Sequence, residues 1–251
     1  PEQAGVRWQL GDLADSGPLP VKLDAVVSCG PLDHFSLWLA RAPLLAPQVV
    51  AFGSTSLHVK QESADPAERD LAARLAAAEQ RLMQVQARDG IAVTVLRPTL
   101  VWGAGMDRSL SRIAGVARRL GGFALPASAT GLRQPVHVDD LADAVLKALQ
   151  RPGRQWRGYD LPGGQTLDYR QMISRVLAAL PGRVPLLVLP TVVFAGLCWV
   201  ATRIGWLAGF TPAMRQRMQQ DLVFDDAPAR ADLGWSPRGF SPSPAELGLD
   251  Q

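Results

Sequence analysis

The groups in this sequence that could do chemistry are few and widely spaced. Ser54 and His58 stand four residues apart, just after the apolar run 48–53. An imidazole with an ordinary pKa of about 6.5 can take or give a proton at neutral pH, and a plain loop histidine fits the same position. Ser54 also suits a Ser/Thr turn that closes a strand. Arg97 follows the apolar run 91–96, and its planar fork is suited to pairing with a carboxylate. His137, Asp139 and Asp140 lie where a strand pattern gives way to a helix pattern, which makes them a cap as readily as a site. Two cysteines, Cys29 and Cys198, and three dispersed histidines build no metal-binding cluster, so no metal is expected and both thiols read as reduced and structural.

The elements that must position these groups follow from periodicity. Short β-branched or apolar runs at 23–28, 48–53, 91–96 and 134–138 are separated by spacers long enough for crossover helices. That alternation predicts a parallel sheet covered by helices. The clearest spacer predicts a helix over 66–88, with Asp65 as N-cap, Pro66 at the first position and Glu68 closing a capping box. Leu71, Leu75, Ala78, Leu82 and Val85 mark its apolar face. A second helix starts at Asp139 or Asp140 and carries Leu141, Val145 and Leu149. After Arg151 the pattern becomes Gly/Pro-punctuated, with a helix expected over 168–180, so 1–150 and 151–251 read as a larger domain and a smaller, mainly helical lobe.

Composition narrows the class. The chain has 251 residues, 47% of them hydrophobic and 20% charged, which excludes disorder and a disulfide scaffold and allows a sizeable core. Net charge is only +3 and the basic residues are scattered along the sequence, which points away from nucleic acid. Segment 184–202 holds 19 uncharged residues, but Pro185 and Pro190 break its first third and leave a helix from Thr191 onward. With the apolar run 204–210 beyond it, this stretch reads as a buried lobe helix or as a face for a membrane surface or a protein partner.

Six segments in order carry a resemblance: GDLAD (11–15), VVAFGSTSLH (49–58), TVLRPTLVWG (94–103), QPVHVDDLADAVLKAL (134–149), GYDLPGG (158–164) and DLGWSPRGF (232–240). Together they resemble the extended short-chain dehydrogenase/reductase family, in its NAD-dependent epimerase/dehydratase group. The resemblance implies an α/β fold, a Rossmann-like doubly wound parallel sheet with a small C-terminal lobe, entered at what would be its third strand. It implies NAD or NADP as cofactor and places Asp12, Gly30, Pro31, Arg97, Pro98 and Thr99 beside it. It places Ser54 where the family's catalytic Ser/Thr bonds a substrate hydroxyl or carbonyl, and His58 where relatives hold an aromatic residue beside the substrate.

Two departures qualify that implication. No GxxGxxG occurs at a strand-to-helix turn, and the pairs Gly103/Gly105, Gly121/Gly122 and Gly163/Gly164 read as turn glycines. The expectation is that roughly 50 to 60 residues, one β-α-β piece, precede Pro1. Second, Glu79 fits the family's Glu four residues after the Lys of Tyr-x-x-x-Lys, which puts Leu71 and Leu75 where Tyr and Lys would stand. Leucine can neither move a proton nor hold a ribose.

The functional expectation is therefore an atypical NAD(P)-binding epimerase/dehydratase-family protein acting on a nucleotide sugar or a related carbonyl or hydroxyl compound, with Ser54 and His58 as its active groups. The alternative is a catalytically silent dinucleotide-binding or scaffold protein docking on a membrane or a partner subunit through 184–210. A cytoplasmic location, with membrane association or a homodimer left open, completes the expectation.

Overall fold

The computed structural model describes residues 5–6, 8, 10–13, 22–41, 46–105, 107, 109–151, 153, 155–203 and 216–249. Most of the GDLAD segment is described only to Leu13, and the apolar run 204–210, with Trp206, lies outside the described residues.

Four parallel strands form the main sheet in the order β1-β2-β3-β8: β1 (Val26–Ser28), β2 (Gln48–Phe52), β3 (Ala92–Pro98) and β8 (Trp156–Leu161). Strand alternation sorts their side chains between two faces. Val49, Ala51, Val93 and Val95 pack under α1 (Leu32–Arg41) and α3 (Pro66–Asp89), against Phe35, Leu39, Leu75, Ala78 and Leu82. Val50, Leu96, Tyr159 and Leu161 face the other way, onto α5 (Val138–Leu149) and α8 (Ala227–Leu233), against Leu141, Ala144, Ala229 and Trp235. Covered on both faces, the central strands β2 and β3 are buried through their middles, as a doubly wound sheet requires.

Helix α3 starts as its sequence dictates, with the Asp65 side chain accepting from the Ala67 amide at 2.9 Å, and ends at Gly90 in the left-handed region (φ 62°). The expected reciprocal half of the capping box is replaced. The Asp65 amide donates to Ser63 Oγ, while the Glu68 carboxylate takes the Ser63 hydroxyl at 2.7 Å and pairs with Lys60 and Arg217. Two cations and a hydroxyl outbid one backbone amide for that carboxylate.

The run 134–138 does not supply a main-sheet strand. Only Val136–His137 (β7) is extended, pairing with β4 (Val101–Trp102) outside the sheet, and Pro135 contributes no amide hydrogen. The fourth sheet position goes to β8, so the chain does not part at residue 150: a strand drawn from 151–251 completes the sheet, and α8 covers it.

The lobe has its own core of Trp102, Leu110, Leu125, Met172, Ile173, Val176 and Phe240. It is built from α4 (Leu110–Leu120), the parallel pair β5 (Phe123–Pro126) and β10 (Leu186–Leu189), the antiparallel pair β6 (Leu132–Arg133) and β9 (Leu167–Asp168), and α6 (Tyr169–Ala178). Helix α7 (Thr191–Arg203) follows Pro190 directly. α6 carries a complete capping box between Asp168 and Gln171.

Candidate active site at the carboxyl end of the sheet

Ligands of open α/β sheets bind beyond the carboxyl ends of the strands, and Gly30, Pro31, Ser54, His58, Arg97, Pro98 and Thr99 lie at those ends. Gly30 and Pro31 form the exposed turn between β1 and α1. A Cβ built on Gly30 would meet nothing within 4 Å, so space is open above the end of β1. Ser54 follows β2 and opens the one-turn helix α2 (Ser56–Val59), its Oγ accepting from the Ser56 amide at 3.1 Å in a Ser/Thr turn. Thr55, a residue the sequence reading passed over, is buried and ties this loop to β3, its hydroxyl donating to the Pro98 carbonyl at 3.2 Å. Asp12 is exposed in the segment before β1.

Arg97 and Pro98 are not in a turn after β3: they are its last two residues, in register with Asp160 and Leu161 of β8. Thr99 follows, and its hydroxyl donates to the Gln134 carbonyl. Register explains the most ordered feature of the site. Arg97 grips Glu79 of α3 with two parallel bonds, Nε to Oε1 at 2.7 Å and NH2 to Oε2 at 2.6 Å, while its NH1 reaches Asp160 Oδ1 at 3.3 Å. The guanidinium lies over Gly158, where a Cβ would come within 2.6 Å of NH2. The Glu79 bonds, working against burial, raise the Arg97 pKa above its usual value, so the arginine stays charged.

Asp160 passes this order on. The same Oδ1 meets His58 Nε2 at 3.1 Å, and the His58 ring lies 6.2 Å from that of Phe224. With the carboxylate accepting, Nε2 is the donor of this contact, which turns Nδ1 away from Asp160. Glu79, Arg97, Asp160 and His58 thus form one chain of contacts from the α3 face to the sheet edge, with His58 at its half-exposed end (41%). Asp160 was not singled out from the sequence. Its signal is the placing of Asp160 between buried Tyr159 and Leu161, which turns it to the other face of the strand.

Leu71 and Leu75 occupy the face of α3 on which Glu79 lies, and both pack into the helix–sheet core, Leu75 fully buried. The HVDD segment resolves into a cap. His137, 3% exposed, accepts the Asp139 amide at Nδ1 and meets Glu246 at Nε2 (3.2 Å), making His137 itself the N-cap of α5, while Asp140 holds Arg238 at 2.9 Å. Gly163 and Gly164 serve close approach: a Cβ would fall 1.7 Å from the Pro135 carbonyl oxygen and 2.1 Å from that of Pro237. Among the described residues no group of three or more His, Cys, Asp or Glu could hold a metal ion.

Along the lobe, Gln134 Nε2 donates to Thr166 Oγ1 at 3.3 Å, and Gln134 Oε1 accepts the Phe224 amide. Thr166 also lines an open groove of about 620 Å³ walled by Gln165, Arg170, Ser174 and Arg175.

A parallel sheet covered by helices on both faces, with polar side chains gathered at its carboxyl edge and a small lobe beside it, defines a Rossmann-like α/β fold. Residues 53–160 match the family "NAD dependent epimerase/dehydratase". A 2-alkyl-3-oxoalkanoate reductase of Stenotrophomonas maltophilia (strain K279a) is 30% identical over 185 residues, 66% of this chain and 53% of that protein. Among solved structures, RMD from Pseudomonas aeruginosa complexed with NADPH superposes with a TM-score of 0.62 at 17% identity, over 99% of this chain and 88% of that one. UDP-glucuronic acid 4-epimerase from Bacillus cereus in complex with NAD gives 0.58 at 12% identity, over 87% of this chain and 65% of that one. The chain is similar to the NAD-dependent epimerase/dehydratase family, and the resemblance puts Leu71 and Leu75 where that family has its Tyr and Lys. It spans about half the length of the curated relative it matches.

Proposed function

We propose that this chain is part of an NAD(P)-dependent enzyme in which a histidine anchored on a carboxylate takes over proton transfer from the family's missing tyrosine. The observation that carries this reading is the His58–Asp160–Arg97–Glu79 chain at the carboxyl edge of the sheet. Asp160 fixes the His58 tautomer, Arg97 fixes Asp160, and the proton moves at Nδ1. Ser54 bonds the substrate hydroxyl or carbonyl. The dinucleotide, when bound, supplies or accepts the hydride. The open space over Gly30 and Pro31 fits its nicotinamide ribose, with Asp12, Pro98 and Thr99 as further contacts, whereas residues 1–251 contain no Gly-rich turn for the pyrophosphate. In this reading the cofactor unit is 1–150 together with β8, and the rest of 151–251 is the substrate lobe. The proposed substrate is a nucleotide sugar or a related carbonyl or hydroxyl compound, with Arg170 and Arg175 in the lobe groove as counter-charges for a diphosphate.

The test is turnover by the protein expressed from its complete gene, with NAD(P) and a panel of nucleotide sugars and 3-oxo compounds. His58→Ala is expected to remove turnover while leaving dinucleotide binding intact, and Ser54→Ala to lower kcat. Unchanged turnover in both variants would reject these roles. Leu75, buried in the core, and Leu71, partly buried against it, favour the second reading of a silent dinucleotide-binding scaffold. Absence of turnover with every substrate, together with retained dinucleotide binding, would support it.

A further inference from the structure

Helix α7 turns its apolar surface outward. Only Phe194 and Cys198 are buried beneath it, while Val192 (84% exposed), Val193, Leu197, Trp199 (62%) and Val200 face solvent over nearly half the helix circumference. The preceding strand β10 adds exposed Leu187 and Val188. A helix that is apolar all round is normally covered on every side. None of the described helices is long and apolar enough to cross a membrane.

The charge around this face selects its cover. Segments 108–138 and 169–220, which build α4, β5, β6, α6, β10 and α7, contain eleven arginines and no Asp or Glu, so the remainder of the chain is net acidic. Two of these arginines, distant in sequence, come together in the fold. Arg119 and Arg183 stand before β5 and β10, which pair in register from Phe123 and Leu186, and both are exposed. Arg203 ends α7 with its guanidinium 5.0 Å from the centre of the Trp199 ring. An exposed tryptophan beside an arginine, at the end of an apolar face whose strand β10 follows the exposed Arg183, matches the boundary between acyl chains and anionic headgroups.

We infer that the outer face of α7 and β10 seats this protein on an anionic lipid surface. α7 lies in the plane of the interface, with Val192, Leu197 and Trp199 below the headgroups and Arg119, Arg183 and Arg203 among them. This goes beyond the proposed enzymatic reading and holds whether or not the site is active.

Flotation of the full-length protein with vesicles of phosphatidylcholine, with and without 30 mol% phosphatidylglycerol, tests it. Binding is expected to the anionic vesicles, to weaken as salt rises, and to be much weaker on neutral vesicles. The double substitution Val192→Glu/Leu197→Glu, at exposed positions that leave the core intact, is expected to lower partitioning at least about tenfold. Arg203→Glu is expected to weaken binding to anionic vesicles only. Circular dichroism of each variant checks that the fold is kept. No flotation of the wild type, or flotation unaffected by the double substitution, would overturn the inference. So would a concentration-dependent dimer that the double substitution dissolves, since the face would then cover a second copy.

Discussion

Removing either end of the Arg97–Glu79 pair should be costly, and the two ends should not cost the same. Both side chains are nearly buried, 14% and 10% exposed, and joined by two charge-assisted bonds of 2.7 and 2.6 Å. Breaking such a pair from one side leaves a buried charge, at about 3–5 kcal/mol. Glu79→Gln keeps one acceptor for Arg97, whose remaining charge is still met by Asp160 at 3.3 Å. Its cost should fall to about 1.5–3 kcal/mol, the worth of a hydrogen bond to a charged group. Arg97→Met strips two carboxylates at once, Glu79 from the buried face and Asp160 from its better cation, and should cost the full range of about 3–5 kcal/mol. Urea denaturation of both single variants and the double variant gives these values and the coupling between them. A cost below about 1 kcal/mol for Arg97→Met, as for an exposed pair, would refute the argument.

Further outcomes follow from the same geometry. Gly158→Ala should push the Arg97 guanidinium aside and destabilise by about 1–3 kcal/mol, a loss that shrinks in an Arg97→Met background. Gly163→Ala, whose Cβ would overlap the Pro135 carbonyl, should yield little folded protein on expression. Burial, then the bond to Asp232, pushes the Tyr159 hydroxyl up to about 12, and burial also raises Tyr169. The folded state therefore prefers the neutral phenols: their contribution is complete below the ordinary value of 10.0 and is lost as pH rises from there toward about 12. Absorbance at 295 nm should show little tyrosinate at pH 10, and half-ionisation there in the folded protein would contradict this. Asp65→Ala, which removes the α3 cap, should cost about 1 kcal/mol in the same urea assay.

Much of the frame was legible in the sequence because local rules write it there. Three of the four main strands, and α3 from Asp65 to Gly90, are set by β-branched runs, apolar spacing and end residues, all of which act within a few positions. Of the residues that the family's segment order singled out, Ser54, His58, Glu79 and Arg97 lie near the carboxyl end of the sheet. What local rules do not encode is the partner. Strand β8 was missed because Arg157, Gly158 and Asp160 interrupt its apolar run. Those residues make sense only beside Arg97, which needs the missing side chain at 158 and the carboxylate at 160. The expected strand 134–138 shrank to two residues because Pro135 cannot join a ladder.

The sequence by itself therefore determined the class of fold and the cap and apolar face of α3. The tertiary structure alone decided that Glu79, Arg97, Asp160 and His58 form one chain, since contacts spanning 18, 63 and 102 positions are fixed by strand register and not by spacing. It also decided that α7 shows its apolar side to the outside. Its sequence is nearly uniform around the helix, and only the packing of Phe194 and Cys198 against the lobe selects which side is left uncovered.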